Sequence, residues 1–156
     1  MTSGMTRELE DRTCGISAAL DIVGDRWSLL VVREIQFGNR RFQGMVDTLG
    51  IPRDRLAARL KFLVETGVLE QRTYQIAPPR AEYFLTESGL ELAGVLVTLF
   101  DWGRRWGHVA DDGVVLHHHE HRLRPQLVCA ECGETVEPDA LTRTGMRSDP
   151  IAHQAT

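Results

Sequence analysis

The fold of this chain is decided by residues 50–74, which read GIPRDRLAARLKFLVETGVLEQRTY. A sharp turn, Gly50-Ile51-Pro52, leads into a helix whose apolar side chains recur at helical spacing. The members of that stripe are Leu56, Leu60, Leu63 and Val64. Pro52 suits the first helical position, where its missing N–H costs little, and Gly67 suits the C-terminal cap. From Val68 the apolar spacing becomes that of a strand, so the stretch predicts a turn, a helix and a strand.

Elements of the same kind are predicted on both sides of this stretch. Upstream, apolar spacing predicts three more helices: residues 16–23, a helix capped by Asp25 and carrying residues 27–35, and a short helix opened by Arg40-Arg41-Phe42 and closed by Gly50. Downstream, residues 68–74 and 81–85 predict a hairpin around a tip at 76–80, and Thr86 caps a helix over 88–106. This order is that of a winged helix-turn-helix, a mainly α fold with a β-hairpin wing.

The flanking composition predicts three parts. Residues 1–13 are polar and read as a flexible N-terminal arm. Residues 14–107 form the predicted winged-helix domain, which we expect to bind DNA and to dimerise. Residues 108–156 form a tail with a histidine cluster, a C-x-x-C motif and a polar end.

Charge is distributed unevenly along the 156-residue chain, whose formal net charge is −4. Residues 26–86 carry ten basic and six acidic side chains, whereas the remainder carries a net charge of −8. Because phosphates sense the field within a Debye length, the basic segment suits DNA despite the acidic total. The apolar runs are too short to span a bilayer, and residues 1–10 lack the apolar core of a signal peptide. We therefore expect a cytoplasmic protein with no membrane association.

The helix after Pro52 is predicted to present one face to a DNA groove. With the leucine stripe buried, the opposite face holds Asp54, Arg55, Ala58, Lys61 and Phe62, with Arg53 and Arg59 at its flanks. Arg55 suits bidentate hydrogen bonding to guanine, and the other cations of the helix suit phosphate. On an isolated helix these residues would read as solubilising charges, so the hairpin that follows is what favours DNA contact.

Further cations extend this predicted contact to the wing and to the third helix. Arg72 and Arg80 flank a tip stiffened by Pro78-Pro79, which suits the minor groove or the DNA backbone. The alternative for Arg72 is an ion pair across the hairpin with Glu82. Arg40-Arg41 stands at a helix start, where N–H groups and positive charge together favour phosphate.

The motifs of residues 14–107, taken in order, resemble the HxlR family of winged-helix regulators, relatives of the MarR-type repressors. The motifs that carry the resemblance are Cys14-Gly15, residues 19–27 (ALDIVGDRW), Glu34, Arg41-Phe42, residues 56–60 (LAARL), Gly67-Val68-Leu69, residues 78–83 (PPRAEY) with Leu85-Thr86, and Gly89. The sequence departs from the family at Asp25-Arg26, where Gly-Lys is usual, and at Gly15 and Pro52. The resemblance implies a homodimer on a pseudo-palindromic operator, paired through the first helix and the helix 88–106.

The helix 88–106 has an apolar face wider than one small domain needs, which agrees with that dimer. Trp102 and Trp106 on this helix, together with Trp27, would also suit a ligand pocket, although packing in the core and the dimer is favoured. Cys14 lies just before the first helix, where a helix N-terminus lowers the pKa of a thiol and makes it more nucleophilic. The resemblance implies redox or electrophile sensing at this cysteine, and an inert, half-buried thiol is the alternative.

The tail carries a predicted zinc site. Cys129 and Cys132 form a C-x-x-C followed by Gly133, which is half of a zinc knuckle, so two further ligands must come from the histidines. Similar tails carry a cysteine in place of His119, which makes His119 the first choice. His117 or His121 is the fourth ligand, because alternate residues of a strand point to one side, and His118 is then dispensable. The alternatives are an empty pair of thiols and a redox disulfide.

Sequence motifs of enzymes are missing from the chain. It has no Gly-rich phosphate loop, no G-x-S-x-G and no H-E-x-x-H, so we expect no enzymatic activity. The favoured function is a sequence-specific DNA-binding transcriptional regulator, a repressor or an activator that responds to an oxidant or a small molecule. The alternative is a metal- or redox-binding protein whose winged helix serves protein–protein contact.

Overall fold

A computed structural model of the chain describes residues 14–78, 80–108, 110 and 113–142. The chain divides into two compact units, residues 1–109 and residues 110–156. The predicted N-terminal arm, residues 1–13, lies outside the described residues. In the part of the chain that is described, no helix combines the length and the apolarity needed to cross a membrane.

The first unit is a winged helix-turn-helix. Its elements in chain order are α1 (Gly15–Val23), α2 (Ser28–Gln36), α3 (Phe42–Leu49), α4 (Arg53–Glu65), β1 (Leu69–Gln75), β2 (Arg80–Leu85) and α5 (Glu87–Trp106). The predicted mainly α fold with a hairpin wing is confirmed. The core lies where α2, α3, α4 and the start of β1 meet, and its fully or nearly fully buried side chains are Val31, Val32, Ile35, Met45, Ile51, Leu56, Leu60, Leu63, Val68 and Leu69.

The turn between α3 and α4 sets the angle at which α4 leaves α3. Gly50 adopts φ 61°, a left-handed conformation that favours glycine, and its amide donates to the carbonyl of Val46. The side chain of Ile51 is 2% exposed, which anchors the turn in the core. Pro52 has the extended ψ of 136° and precedes the first helical residue, so its predicted place inside the helix is wrong by one position. Its carbonyl still accepts the first helical hydrogen bond, from the amide of Leu56.

The wing is a two-stranded antiparallel hairpin with a short third segment at its edge. The register places Leu69 opposite Leu85 and Arg72 opposite Glu82. The segment before α3 pairs with the outer side of β2, because Arg41 bridges to Glu82 and the amide of Tyr83 donates to the carbonyl of Arg40. Arg40 and Arg41 were predicted to open a helix, but they lie in extended backbone that β2 pairs with, and α3 begins only at Phe42.

The N-terminus of α5 is packed closely against the end of α4. The hydroxyl of Thr86 accepts a hydrogen bond from the amide of Gly89 and donates one to the carbonyl of Gly67, so the predicted cap is confirmed. A Cβ at Gly89 would collide with the carbonyl oxygen of Val68. The close approach of the backbones therefore requires glycine at this position.

The long helix α5 divides its apolar residues between two faces. Leu92 and Leu96 pack against the core. Four others form an exposed line, which we call the outer stripe: Val95, Leu99, Trp102 and Trp106, between 44% and 68% exposed. Helix α1 likewise leaves Ile16 and Leu20 exposed while it buries Val23.

The described residues of the second unit form two small hairpins and a turn of 3-10 helix. Strands β3 (His117–His118) and β4 (His121–Arg122) form the first hairpin, which we call the histidine hairpin. The second, the cysteine hairpin, is held by a bridge between Val128 and Thr135 and encloses Cys129 and Cys132. The 3-10 turn spans Pro138–Ala140.

Candidate nucleic-acid interface

The outer face of α4 carries the charged residues predicted to meet DNA. Leu56, Leu60 and Leu63 are at most 1% exposed and hold the inner face against the core. The residues on the opposite side that lie in solvent are Arg53, Asp54, Arg55, Ala58 and Lys61, which we call the reading face. Phe62 is half-buried. The leucine stripe thus orients a solvent-facing set of three cations and one carboxylate.

The cations of the reading face differ in what they contact. The side chain of Arg55 makes no ion pair or hydrogen bond to any residue in the described ranges. Lys61 lies 3.8 Å from Glu65, a loose pair in which both side chains are largely in water. Arg53 donates to the amide oxygen of Gln43 at 2.6 Å and stacks over the ring of Phe42, so it joins α4 to α3.

Arg59 lies apart from the reading face and is held by the corner between α1 and α2. Its guanidinium is 3.3 Å from the carboxylate of Asp25, and it stacks over the ring of Phe62. The Asp25 carboxylate also accepts hydrogen bonds from the amides of Trp27 and Ser28 and from the Ser28 hydroxyl. Burial alone raises the pKa of Asp25, but these hydrogen bonds and the charge of Arg59 outweigh it and lower the pKa.

A second carboxylate, Glu34, organises the approach to α3. It accepts hydrogen bonds from Arg33, from the Asn39 side-chain amide and from the Thr48 hydroxyl, each at 2.8 Å. Burial raises the pKa of Glu34, and the hydrogen bonds from Asn39, Arg33 and Thr48 outweigh it, so the pKa is lowered. The sequence alone does not predict this network, because the partner Thr48 belongs to another helix. A carboxylate next to a Gly-Asn turn was the available signal.

The wing brings four of its charged residues into two pairs. Arg41 forms an ion pair with Glu82 at 2.8 Å, and Arg72 forms one with Glu70. The alternative pairing of Arg72 with Glu82 is therefore wrong, although the two residues are opposite each other in the register. Arg41 takes Glu82 because the segment before α3 lies along β2 and brings the guanidinium to the carboxylate.

An aromatic ring supports the cations at the base of the wing. The guanidinium groups of Arg40 and Arg72 lie 4.7 Å and 4.3 Å from the centre of the Phe84 ring. Arg80, at the start of β2 beside the tip, is exposed. Between the wing and α3 lies an open groove of about 390 Å³ lined by Arg40, Arg41, Gln43 and Glu82, among others. Arg40 and Arg72 thus meet at the Phe84 ring, Arg41 lines the groove beside Arg40, and Arg80 lies apart from them beside the tip.

Cys14 occupies the N-cap position of α1, as predicted, and is half-buried. Its carbonyl accepts the amide of Ala18, so the residue is part of the helix start. The three cysteines all fall within the described residues, and none of them is in a disulfide.

The tail histidines are arranged differently from the prediction. The chain reverses at His119-Glu120, and His119 has φ 53°, so residues 117–121 are not one strand with alternating sides. His118 lies opposite His121, and their ring centres are 5.9 Å apart, whereas His117 lies opposite Arg122. The prediction that residues 117–121 form one strand with alternating sides is wrong, because His118 and His121 are cross-strand partners and share a face. The ring of His119, in the turn between them, lies 4.2 Å from the His118 ring and 6.4 Å from the His121 ring.

In the cysteine hairpin, the Cys129 sulfur accepts hydrogen bonds from the amides of Cys132 and Glu131 and from the Cys132 thiol. These bonds lower the pKa of Cys129. Across the described ranges, no three side chains of His, Cys, Asp or Glu stand together in a way that would hold a metal ion. The histidines lie on one hairpin and the two cysteines on the other.

Known proteins resemble this chain along most of its length. The family model described as HxlR-like helix-turn-helix matches residues 22–111. An uncharacterised HTH-type transcriptional regulator of Mycobacterium tuberculosis, Rv3095, is 40% identical over 138 residues, which cover 86% of this chain and 85% of that protein. The crystal structure of PA1607, a candidate transcription factor, superposes with a TM-score of 0.75 at 30% identity and covers 90% of this chain and 99% of that one.

A third similar protein is named as a redox regulator. The redox regulator HypR, solved in its oxidised form, superposes with a TM-score of 0.56 at 27% identity and covers 62% of this chain and 100% of that one. PA1607 covers 90% of this chain, which is more than the first unit, residues 1–109, contains. The likeness to PA1607 therefore extends into the second unit.

Proposed function

Because this chain belongs to the HxlR-like helix-turn-helix family of transcriptional regulators, we propose that it binds a pseudo-palindromic operator as a homodimer. In this proposal α4 lies in the major groove of each half-site and the wing lies beside it. The observation that carries the proposal is the reading face, which is held in solvent by a leucine stripe that is almost fully buried.

Within the reading face, one side chain contacts a base and two contact phosphates. Arg55 is the base-reading residue, because its guanidinium is exposed and has no protein partner in the described ranges. A free guanidinium donates two parallel hydrogen bonds to guanine O6 and N7. Arg53 and Lys61 flank it and bind phosphate, and the nearby Asp54 accepts from a cytosine amino group or repels a mismatched base.

The wing supplies a second contact to the DNA. Arg80 is exposed beside the tip and enters the minor groove or meets the backbone. Arg40, Arg41 and Arg72 already contact Phe84, Glu82 or Glu70, so they are pre-oriented rather than mobile. Ordered cations lose less side-chain entropy when they bind phosphate.

The dimer is supported by apolar surface that one chain leaves uncovered. The outer stripe of α5 and the exposed residues Ile16 and Leu20 of α1 belong to the two helices that the proposal places at the two-fold axis. Two copies that bury these side chains against each other gain hydrophobic free energy, and they fix two recognition helices for two half-sites.

A binding assay tests this function directly. Purified protein is titrated onto a fluorescent duplex that contains the region upstream of its own gene, at several salt concentrations, with unlabelled unrelated DNA as competitor. We expect binding that survives the competitor and a stoichiometry of two chains per site. Equal affinity for related and unrelated duplexes would contradict the proposal and favour a winged helix that serves protein–protein contact.

We also propose that Cys14 senses an oxidant. Its support is the position of the thiol at the N-cap of α1, a helix assigned to the dimer, and the similarity to the redox regulator HypR. Oxidation of this thiol would change the packing of α1 and with it the spacing of the two recognition helices. Cys14→Ser is expected to bind DNA normally and to lose the response to diamide, and an unchanged response in this variant would rule Cys14 out.

A further inference from the structure

The described part of the second unit forms hairpins without a hydrophobic core. Among residues 110, 113–137 and 139–142, none is buried. Several of its apolar side chains are more than 40% exposed: Val114, Val115, Leu127, Val128 and Leu141. A unit of this size cannot hold its chain by apolar burial, and small domains of this kind need a disulfide, a metal ion or a partner to be stable.

A disulfide does not stabilise the second unit. The three cysteines are thiols in the structure, and Cys129 and Cys132 lie in the same turn. A bond between them would close a loop within the cysteine hairpin and would not reach the histidine hairpin.

The histidine hairpin offers two donors on one face. His118 and His121 flank the turn at His119-Glu120 and are direct cross-strand partners, so their side chains project to the same side. Their ring centres are 5.9 Å apart, and both residues are exposed. His117 pairs with Arg122 and projects to the opposite face.

The cysteine hairpin offers the matching pair. Cys129 and Cys132 have the same spacing as His118 and His121, again across a tight turn. The turn is closed by hydrogen bonds from the Gly133 amide to the Cys129 carbonyl and from the Cys129 amide to the Glu134 carbonyl. Gly133 has φ 73°, which lets the chain turn sharply after the second thiol.

We propose that the second unit binds one zinc ion through His118, His121, Cys129 and Cys132, and that this ion joins its two hairpins. Two thiolates and two imidazoles form the tetrahedral N/S set that zinc prefers, and binding releases the two thiol protons to solvent. In the described structure the two pairs are not assembled into one cluster, so the hairpins close on each other when the ion binds. Four protein ligands leave no open position for water, which makes the site structural.

Cobalt(II) absorption is the test, because Co(II) replaces zinc and its visible bands report tetrahedral thiolate coordination. The untagged full-length chain, reduced and stripped of metal, is titrated with Co(II) and then with Zn(II). We expect one tetrahedral site per chain and displacement of Co(II) by Zn(II). Titration without tetrahedral bands, or bands without displacement by Zn(II), would overturn the proposal.

Variants of single ligands assign the site. His118→Ala, His121→Ala, Cys129→Ser and Cys132→Ser should each weaken Zn(II) binding by more than about 100-fold, because even the loss of a group behind a ligand weakens metal binding by 10- to 100-fold. His117→Ala is the matched control and should bind as the unchanged protein does. If His117→Ala lost the metal as fully as His118→Ala, the assignment would be wrong.

Limited proteolysis separates a local loss from misfolding of the whole chain. With zinc bound, the second unit should resist cleavage, and a chelator should expose it while the first unit stays protected. The first unit has its own core, so DNA binding and the zinc site succeed or fail independently. A second unit that resists cleavage equally with and without metal would contradict a structural zinc.

Discussion

The guanidinium of Arg59 lies 3.3 Å from the carboxylate of Asp25, which joins the recognition helix α4 to the corner between α1 and α2. Both side chains are less than 30% exposed, and Asp25 also accepts the first free amides of α2. The phosphate contact expected for Arg59 stays a prediction. The ion pair gives this residue a second role, which is to hold α4 at a fixed angle to the helix before it.

Asp25→Ala should lower the free energy of unfolding by about 1–2 kcal/mol, since it removes a capping acceptor of α2 and the partner of Arg59. Asp25→Asn is the matched control, because its amide oxygen can still accept from the amides of Trp27 and Ser28, while the charge and the second acceptor oxygen are lost. A double-mutant cycle of Asp25→Asn with Arg59→Gln, followed by urea unfolding, should give a coupling of about 0.2–1 kcal/mol. Additive effects would show that the two side chains do not interact in solution.

Acid should destabilise the first unit partly through Glu34. The pKa of this carboxyl is lowered in the folded protein, so its contribution is present above the ordinary value of 4.5 and is lost as pH falls through the lowered folded value. Glu34→Gln should therefore be less stable than the unchanged protein near neutral pH, and this difference in the free energy of unfolding should narrow as the pH falls below 4.5. Urea unfolding at a series of pH values measures this, and a difference that does not vary with pH would contradict the role of the charge.

Arg55→Ala should relax sequence preference. We expect the affinity for the operator to fall by about 1–3 kcal/mol, while binding to unrelated DNA changes little, because a base contact is lost and phosphate contacts remain. Arg105→Ala is the matched control, since Arg105 is an exposed arginine that pairs with Asp101 on α5. Fluorescence anisotropy with the operator and with a mutated operator distinguishes a loss of sequence preference from a general loss of DNA affinity. An equal loss on every duplex would place Arg55 on phosphate instead.

Leu99→Glu should convert the dimer to a monomer. A carboxylate in the middle of the outer stripe would be left unpaired in the interface, at a cost on the order of 3 kcal/mol, which raises the dissociation constant about 100-fold. Gly94→Glu introduces the same side chain on the exposed polar side of α5, away from the stripe and with nothing within 4 Å of a Cβ there, and should leave the dimer intact. Light scattering during size-exclusion chromatography measures both. A monomer from the unchanged protein at micromolar concentration would contradict the dimer.

Two glycines of α5 should respond oppositely to alanine. Gly89→Ala forces a Cβ onto the Val68 carbonyl and should destabilise the first unit by about 1–3 kcal/mol, because the start of α5 must move away from the end of α4. Gly94→Ala meets nothing within 4 Å and should stabilise the helix by about 0.5–1 kcal/mol. Thermal unfolding of the two variants tests the pair, and a neutral Gly89→Ala would mean that the two backbones separate easily.

The sequence by itself determined the order of the elements, the buried face of α4 and the caps at Gly67 and Thr86. These features depend on local geometry, because a helix repeats every 3.6 residues and a strand every two, and apolar spacing reports that repeat directly. The exposure of Arg55 follows from the same repeat, since it lies opposite the leucine stripe.

Only the tertiary structure decided which charged side chain meets which. Arg41 takes Glu82 because the segment before α3 pairs with β2, and Arg59 takes Asp25 because α4 crosses the corner after α1. The turn at His119 likewise places His118 opposite His121 in a hairpin, where the sequence predicted a single strand. Local periodicity contains no information about such contacts, because an interaction between residues far apart in the chain depends on how the elements cross, and the packing of the whole core sets those crossings.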